Sequence, residues 1–433
     1  MRIRTVFPEW ATAFALVLLA GNWLRADDFL EGELTDSAPR DERQESRLPD
    51  YTRITGAVSQ ARLLFGDARW HWKFLSARVA HRDGATTMVS LSDAAVADGV
   101  LYFGDDAGRL FALRVEDGAE YWKFDHGERI NSKPSIDQDH VYFGSRTGIT
   151  AINRMTGALV WHHDVPHGAN ESVPLPVGDR VYTSGYDGKT YALDQKTGRA
   201  LWSHDFTSDS PPDPPEFSGE RARFQNIVAR PAGSACDGEI FYQCIVDQSR
   251  IIALDCRNGE RLWSFQADGF TAAAPTVVGN RVFFGSEDRN LYCLDRETGL
   301  LVWKFTAPTW LASRPAVAEG RVFLAVHGAR LMQLDADSGR LLHTFQPADE
   351  FERKGMVFSF PIVANGAVHF ASGDGQFFAV DIRTNELRWR LHTSDRSELF
   401  TDPVTDGIRI FVTARQRADK QGECAILAIG PKP

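Results

Sequence analysis

Apolar residues in this chain fall into short runs, each closed by a turn rich in Gly, Asp, Asn or Thr. Residues 181–206, VYTSGYDGKTYALDQKTGRALWSHDF, show the pattern best. Val181-Tyr182-Thr183 leads into the turn Tyr186-Asp187-Gly188-Lys189. The run 190–193 follows, then a turn over 195–198, then Ala200-Leu201-Trp202. Runs this short, rich in β-branched and aromatic side chains and split by Asp-Gly and Thr-Gly, predict antiparallel strands. Glycine takes φ > 0 at such turns without steric cost.

The pattern recurs. Counting Val181, equivalent units begin at Val100, Val141, Val181, Ile240, Val282, Val322, Val368 and Ile410, with starts 41, 40, 59, 42, 40, 46 and 42 residues apart. A period near forty with four short strands per unit predicts the blades of a β-propeller. Outer strands are marked by Trp72, Trp122, Trp161, Trp202, Trp263, Trp303, His343 and Trp389. That count agrees with the number of inner strand sets, so eight blades are expected. The outer-type strand Trp70-His71-Trp72-Lys73-Phe74 precedes every inner strand, while 401–429 supplies only three. The predicted fold is therefore all-β: an eight-bladed propeller of four-stranded antiparallel blades over residues 66–430. Its N-terminal strand completes the last blade and removes the open sheet edge.

Prolines 134, 174, 275, 315, 361 and 403 recur at the innermost strand of their blades. Proline suits an edge that needs no ladder donor, here the edge facing the central channel. Lys133, Arg230 and Arg314 each precede such a proline, and Asp93 and Asp402 lie near the same place in two further blades. They are candidates for a mixed-charge ring at the channel mouth, either paired between blades or open to an anionic ligand. All the long insertions, 76–88, 207–227, 347–356 and 414–422, fall on the face carrying the fourth-to-first and second-to-third connections. The tight Asp-Gly and Thr-Gly turns lie opposite. Variable loops on one face of a rigid scaffold are the usual way to build a binding site. The 207–227 insertion opens with a proline-rich stretch that costs little entropy to order and continues with Phe217, Arg221, Arg223 and Phe224. Trp310 lies on a shorter loop of the same face. These five are the candidate partner-binding residues.

Length alone, 433 residues, would allow two or three domains, but one ring absorbs most of it. A net charge of −10 argues against a sequence-independent nucleic-acid binder. Arg2 and Arg4 precede an apolar run over 10–20, with Leu24-Arg25-Ala26 as a cleavage site. Residues 1–26 read as a secretory signal, too short in its apolar part to span a bilayer. The expectation is an exported protein of the periplasm or cell envelope, with no transmembrane span after cleavage. Leu19-Ala20-Gly21 is followed by Asn22 rather than by a lipid-bearing cysteine. Residues 27–65 are polar and charged and read as a flexible leader. His162 and His163 are adjacent on a strand and point to opposite faces, so no shared metal is expected. The five cysteines show no zinc or haem spacing. Cys236 and Cys256 fall near the ends of the first and third strands of one blade. One intervening strand would hold their Cα atoms roughly 9–10 Å apart, so reduced, buried thiols are expected.

A longer motif, Ala-x-Asp-x-x-Thr-Gly-x-x-x-Trp, runs through the blades. Ala192, Asp194, Thr197, Gly198 and Trp202 match it fully. The sets ending in Trp161, Trp263 and Trp303 each change one position. This resembles the tryptophan docking motif of pyrroloquinoline quinone (PQQ) repeats, found in quinoprotein alcohol dehydrogenases and in the outer-membrane assembly factor BamB. Blade six has His343 in place of the tryptophan, so a weaker blade contact is expected there. The resemblance implies two functions. One is a non-catalytic scaffold of the bacterial cell envelope, a monomeric ring without cofactor that binds an envelope protein or another periplasmic ligand. The other is a quinoprotein dehydrogenase holding PQQ and Ca²⁺ beside an Asp base. No such base and calcium set maps onto this chain, so the scaffold is the expectation and the dehydrogenase the alternative.

Overall fold

The computed structural model describes residues 62–430 apart from 66–68, 76–77, 81–85, 170–171, 210–230, 272, 328–329, 348–358, 373–374, 393–401 and 415–423. Eight antiparallel sheets follow one another around a propeller. Blades 1 to 7 span residues 95–125, 135–164, 175–205, 231–266, 276–306, 316–345 and 362–392, each running outward from strand a to strand d in chain order. Blade 8 takes its three inner strands from Val404–Thr405, Ile410–Ala414 and Ala425–Gly430. Its outer strand is Arg69–Leu75, paired from Arg69 with Gly430 to Leu75 with Ala425. The ring is thus closed by hydrogen bonds between two distant parts of the chain. Phe411, Ile426 and Ala428 of blade 8 then pack into one cluster with Leu101, Phe103 and Phe111 of blade 1, so the seam is as apolar as any other joint.

Residues 62–65, which the sequence places at the end of the leader, form a strand. Arg62–Phe65 pairs antiparallel with Leu387–His392 and makes blade 7 five-stranded. Its physical cause is the run Leu63-Leu64-Phe65, whose backbone finds free partners along that outer edge. A small hairpin, Arg78–Ala80 with Thr86–Met88, lies in the connection from the closing strand to blade 1.

Strands b and c of each blade are buried almost throughout, as in Ile240–Ile245, while the outer strands keep exposed positions. The core therefore lies between blades rather than within them. Tyr182 of blade 3 packs with Phe241, Ile252 and Leu254 of blade 4 in one such layer. Burying a large apolar side chain contributes about 1.5–3 kcal/mol, so a full ring of these layers dominates the stability.

The tryptophan motif fixes each joint. Opposite each tryptophan on strand c stands a small residue: Ala112 faces Trp122, Ala151 faces Trp161 and Ala192 faces Trp202. A bulge just beyond the pair turns the indole toward the next blade. There it lies on the next blade's turn glycine and donates its Nε1 hydrogen to a backbone carbonyl. The acceptors of Trp122, Trp161, Trp202, Trp263 and Trp303 are Arg154, Gln195, Cys256, Arg296 and Ala336, at 2.8–3.1 Å.

The joint from blade 6 to blade 7 is rebuilt rather than merely weakened. His343 is exposed, its cross-strand partner is Gln333 instead of alanine, and the turn of blade 7 has Asn385 where the others have glycine. Gln333 Nε2 donates to the Ile382 carbonyl at 3.0 Å and Arg321 Nη1 to the same oxygen at 2.5 Å. Ile382 follows Asp381 as Gln195 follows Asp194, so two side-chain donors occupy the acceptor that an indole uses elsewhere.

Candidate functional site

The two faces of the ring differ in chemistry. On the tight-turn face, polar side chains are spent on the neighbouring blade. Arg154 of blade 2 reaches back to Asp98 at 2.6 Å and to the Tyr102 hydroxyl at 3.2 Å in blade 1. Gln195 of blade 3 donates to Asp137 of blade 2 at 2.5 Å. Arg296 of blade 5 clamps Asp237 and Glu239 of blade 4 at 2.7 and 2.6 Å. These hydrogen bonds hold the Arg296 guanidinium above its ordinary pKa. Arg296 is therefore part of a joint and not a free surface charge.

The opposite face carries the variable connections and the channel mouth. A short element repeats there: a serine, one variable residue, then usually the proline that begins strand a. The serine hydroxyl is fixed to the end of strand b. Ser92, Ser132 and Ser172 accept from the backbone N–H of Gly104, Gly144 and Ser184 at 2.9, 2.6 and 3.0 Å, and Ser359 accepts from Ala371 at 2.8 Å. The variable residue between serine and proline is thereby held close to the end of strand b. The serines themselves carry a signal in the sequence, since Ser-x-Pro recurs at 132–134, 172–174, 313–315 and 359–361.

Four of the five expected channel residues are brought together. Asp402 lies within electrostatic reach of Asp93, Lys133 and Arg314. It also accepts from the Phe360 N–H at 3.2 Å, across the joint between blades 7 and 8. Arg314 Nε donates to Thr276 Oγ1 at 3.1 Å, tying blade 6 to blade 5. Asp402 keeps partial solvent contact, but the protein around it is dense. Lost hydration, reinforced by the Asp93 charge and opposed by Lys133 and Arg314, pushes its carboxyl up to about 7. These four side chains thus form a mixed-charge set, two of whose members tie neighbouring blades together. Arg230, the fifth expected member, lies outside the described residues.

Phe217, Arg221, Arg223 and Phe224 likewise lie outside the described residues. Trp310 is half-buried, its ring 4.2 Å from the His327 imidazole and nearly edge-on to it. Burial lowers the His327 pKa to about 4. Between blades 4 and 5 the same face has a shallow depression lined by Ser249, Asp268, Phe270, Glu287 and Asp288.

His162 and His163 do turn to opposite sides. His162 Nδ1 meets Thr150 Oγ1 at 2.8 Å and its ring faces His126, whereas His163 lies edge-on against Tyr191. Calcium beside a quinone needs several convergent oxygen ligands. Among the described residues no three His, Cys, Asp or Glu side chains converge for a metal, and Asp402 has Lys133 and Arg314 as charged neighbours.

The five thiols are free and, but for part-exposed Cys236, buried as expected, but the expected separation of Cys236 and Cys256 needs correcting. Cys236 and Cys256 Sγ stand 3.2 Å apart. Strand spacing does not apply because Cys256 lies one residue beyond strand c. Its N–H donates to Glu239 O at 2.9 Å, which draws it over the end of strand b to the turn beside Cys236.

A family model described as outer membrane protein assembly factor BamB matches residues 56–232 and 247–418. BamB of Shewanella oneidensis is 25% identical over 220 residues, 38% of this chain and 50% of that protein. Quinoprotein ethanol dehydrogenase of Pseudomonas aeruginosa is 30% identical over 141 residues, 27% of this chain and 23% of that protein. The chain thus spans half the length of the first of these curated relatives and less of the second. Among solved structures, BamB from Moraxella catarrhalis superposes with a TM-score of 0.60 at 18% identity, covering 79% of this chain and 99% of that one. Quinohemoprotein alcohol dehydrogenase from Comamonas testosteroni gives 0.64 at 14% identity, covering 85% and 77%. Identities this low speak for the fold alone. With the family model matched over most of its length and the docking motif in place at five joints, the chain belongs to the BamB-like family of PQQ-repeat β-propellers.

Proposed function

We propose that this protein is a non-catalytic scaffold of the bacterial cell envelope that binds a protein partner through the face carrying the long connections. The observation behind this reading is the asymmetry of the faces. The tight-turn face spends its hydrogen-bonding groups on joints, while insertions and the channel-mouth charges collect on the other. Family membership supports it, as do BamB relatives from two organisms. The basic and apolar N-terminal segment supports export, and among the described residues no helix is long and apolar enough to cross a membrane. Quinoprotein relatives keep a PQQ-dependent dehydrogenase as the second reading.

The test is capture from envelope extract by the intact protein and by a form lacking 208–223. Replacing Phe217 and Phe224 by Ser, or Arg221 and Arg223 by Glu, should weaken capture. A buried aromatic anchor contributes about 2 kcal/mol, or roughly thirty-fold in affinity. Lys196 and Glu297 are exposed on the tight-turn face and serve as controls whose charge reversal should leave binding unchanged. Arg296 is unsuitable as a control because it clamps two blades. Equal loss from both faces would overturn the reading. So would dye-linked alcohol oxidation by protein supplied with PQQ and Ca²⁺.

A further inference from the structure

We propose that Cys236 and Cys256 are a redox pair that closes to a disulfide and clasps the joint between blades 3 and 4. Three observations place it. The sulfurs stand 3.2 Å apart, so shortening by about 1.1 Å reaches bonding distance. The other three cysteines, Cys244, Cys293 and Cys424, are buried and belong to other core layers. And the backbone of Cys256 is the hub of the joint. Its carbonyl accepts from Trp202 Nε1 at 3.0 Å, the Tyr182 hydroxyl at 3.1 Å and Arg180 Nη1 at 2.6 Å, all from blade 3. Fixing the Cys256 side chain therefore fixes the oxygen on which three inter-blade donors converge.

The two thiols are unequal. Cys256 is 2% exposed, whereas Cys236 is part-exposed. The hydrogen bond from Cys236 lowers the Cys256 pKa, and that same bond with burial raises Cys236. Once the pair loses a proton, the charge rests on Cys256 while Cys236 keeps its hydrogen. A disulfide oxidant reaches Cys236 first because that sulfur is accessible. Passing its proton across the 3.2 Å contact to Cys256, Cys236 attacks the oxidant disulfide as a thiolate and forms a mixed disulfide, and the expelled oxidant thiolate takes that proton from Cys256. The Cys256 thiolate then attacks the Cys236 sulfur and expels the second thiol. Two cysteine thiols and one oxidant disulfide give one protein disulfide and two oxidant thiols. Two electrons pass to the oxidant, and the protons end on its thiols.

The chemistry is testable on purified protein and does not depend on export. The protein is held in oxidised glutathione, alkylated, digested and weighed. The expected result is a peptide pair linked through Cys236 and Cys256, with the other three of the five cysteines alkylated. Cys256→Ser should stop at a glutathione adduct on Cys236, whereas Cys236→Ser should take up little glutathione at Cys256. The oxidised protein should melt about 2–5 °C above the reduced one. Five alkylated cysteines after oxidation would overturn the proposal, as would a link through any other pair. A Cys236–Cys256 link that leaves the melting temperature unmoved would overturn the clasp.

Discussion

Gly198 stands where the Trp161 ring lies, and its backbone has φ +69°. A Cβ there would come within 2.6 Å of the indole, too close for any rotamer to relieve. Gly178 has nearly the same φ, +62°, with nothing within 4 Å of a built Cβ. The two positions separate backbone cost from packing cost. Gly178→Ala should destabilise by about 1 kcal/mol, the left-handed penalty alone. Gly198→Ala should destabilise by about 2–4 kcal/mol, because overpacking adds to that penalty. Urea unfolding of both variants checks this, and equal losses would show that the indole yields. The same steric account explains why three residues change together at the sixth joint. Without the indole, His343 needs no alanine opposite it and no glycine beneath it, so Gln333 and Asn385 can stand there.

At the scale of elements, the closing strand is the one whose loss the ring cannot absorb. Deleting residues 69–75 exposes the edge of Ala425–Gly430 and uncovers the layer shared by blades 8 and 1, where Phe74 packs. Residues 27–60, polar and charged in sequence, are proposed to add nothing to the ring. Thermal melts should show a large loss for the first truncation and none for the second. Much of this was legible in the sequence. Trp70-His71-Trp72 identified an outer strand out of order, and the forty-residue period fixed the blade count. The fifth strand at Arg62–Phe65 was not legible, because a single short apolar run carries no period and its pairing edge lies more than 300 residues away. The approach of Cys256 to Cys236 escaped for a related reason. Strand spacing describes residues inside a ladder, and Cys256 has just left one. Of the candidate site, the channel charges could be read from their proline neighbours. The serines that hold them were overlooked, and the long insertion speaks only through its composition.

Over the whole molecule, charge on the channel mouth makes stability depend on pH. The Asp402 carboxyl is pushed up to about 7 in the fold against an ordinary value near 4, so the folded ring binds this proton more tightly than the unfolded chain does. Its contribution is full below about pH 4 and is lost as pH rises through 7. Asp402→Asn fixes the neutral form. Across pH 5 to 8 the wild type should therefore lose melting temperature relative to this variant, and parallel profiles would mean that Asp402 is ionised throughout. The ring also has no privileged beginning. Arg69 and Gly430 are partners across the seam of blade 8, so a turn of a few residues could join them into an ordinary hairpin. The chain could then be cut in the connection between blades 3 and 4 and would still trace the same eight sheets. Gene order in this molecule is one of several circular permutations of a single closed object, and what distinguishes the natural one is that its seam is sealed by strand pairing instead of by a peptide bond.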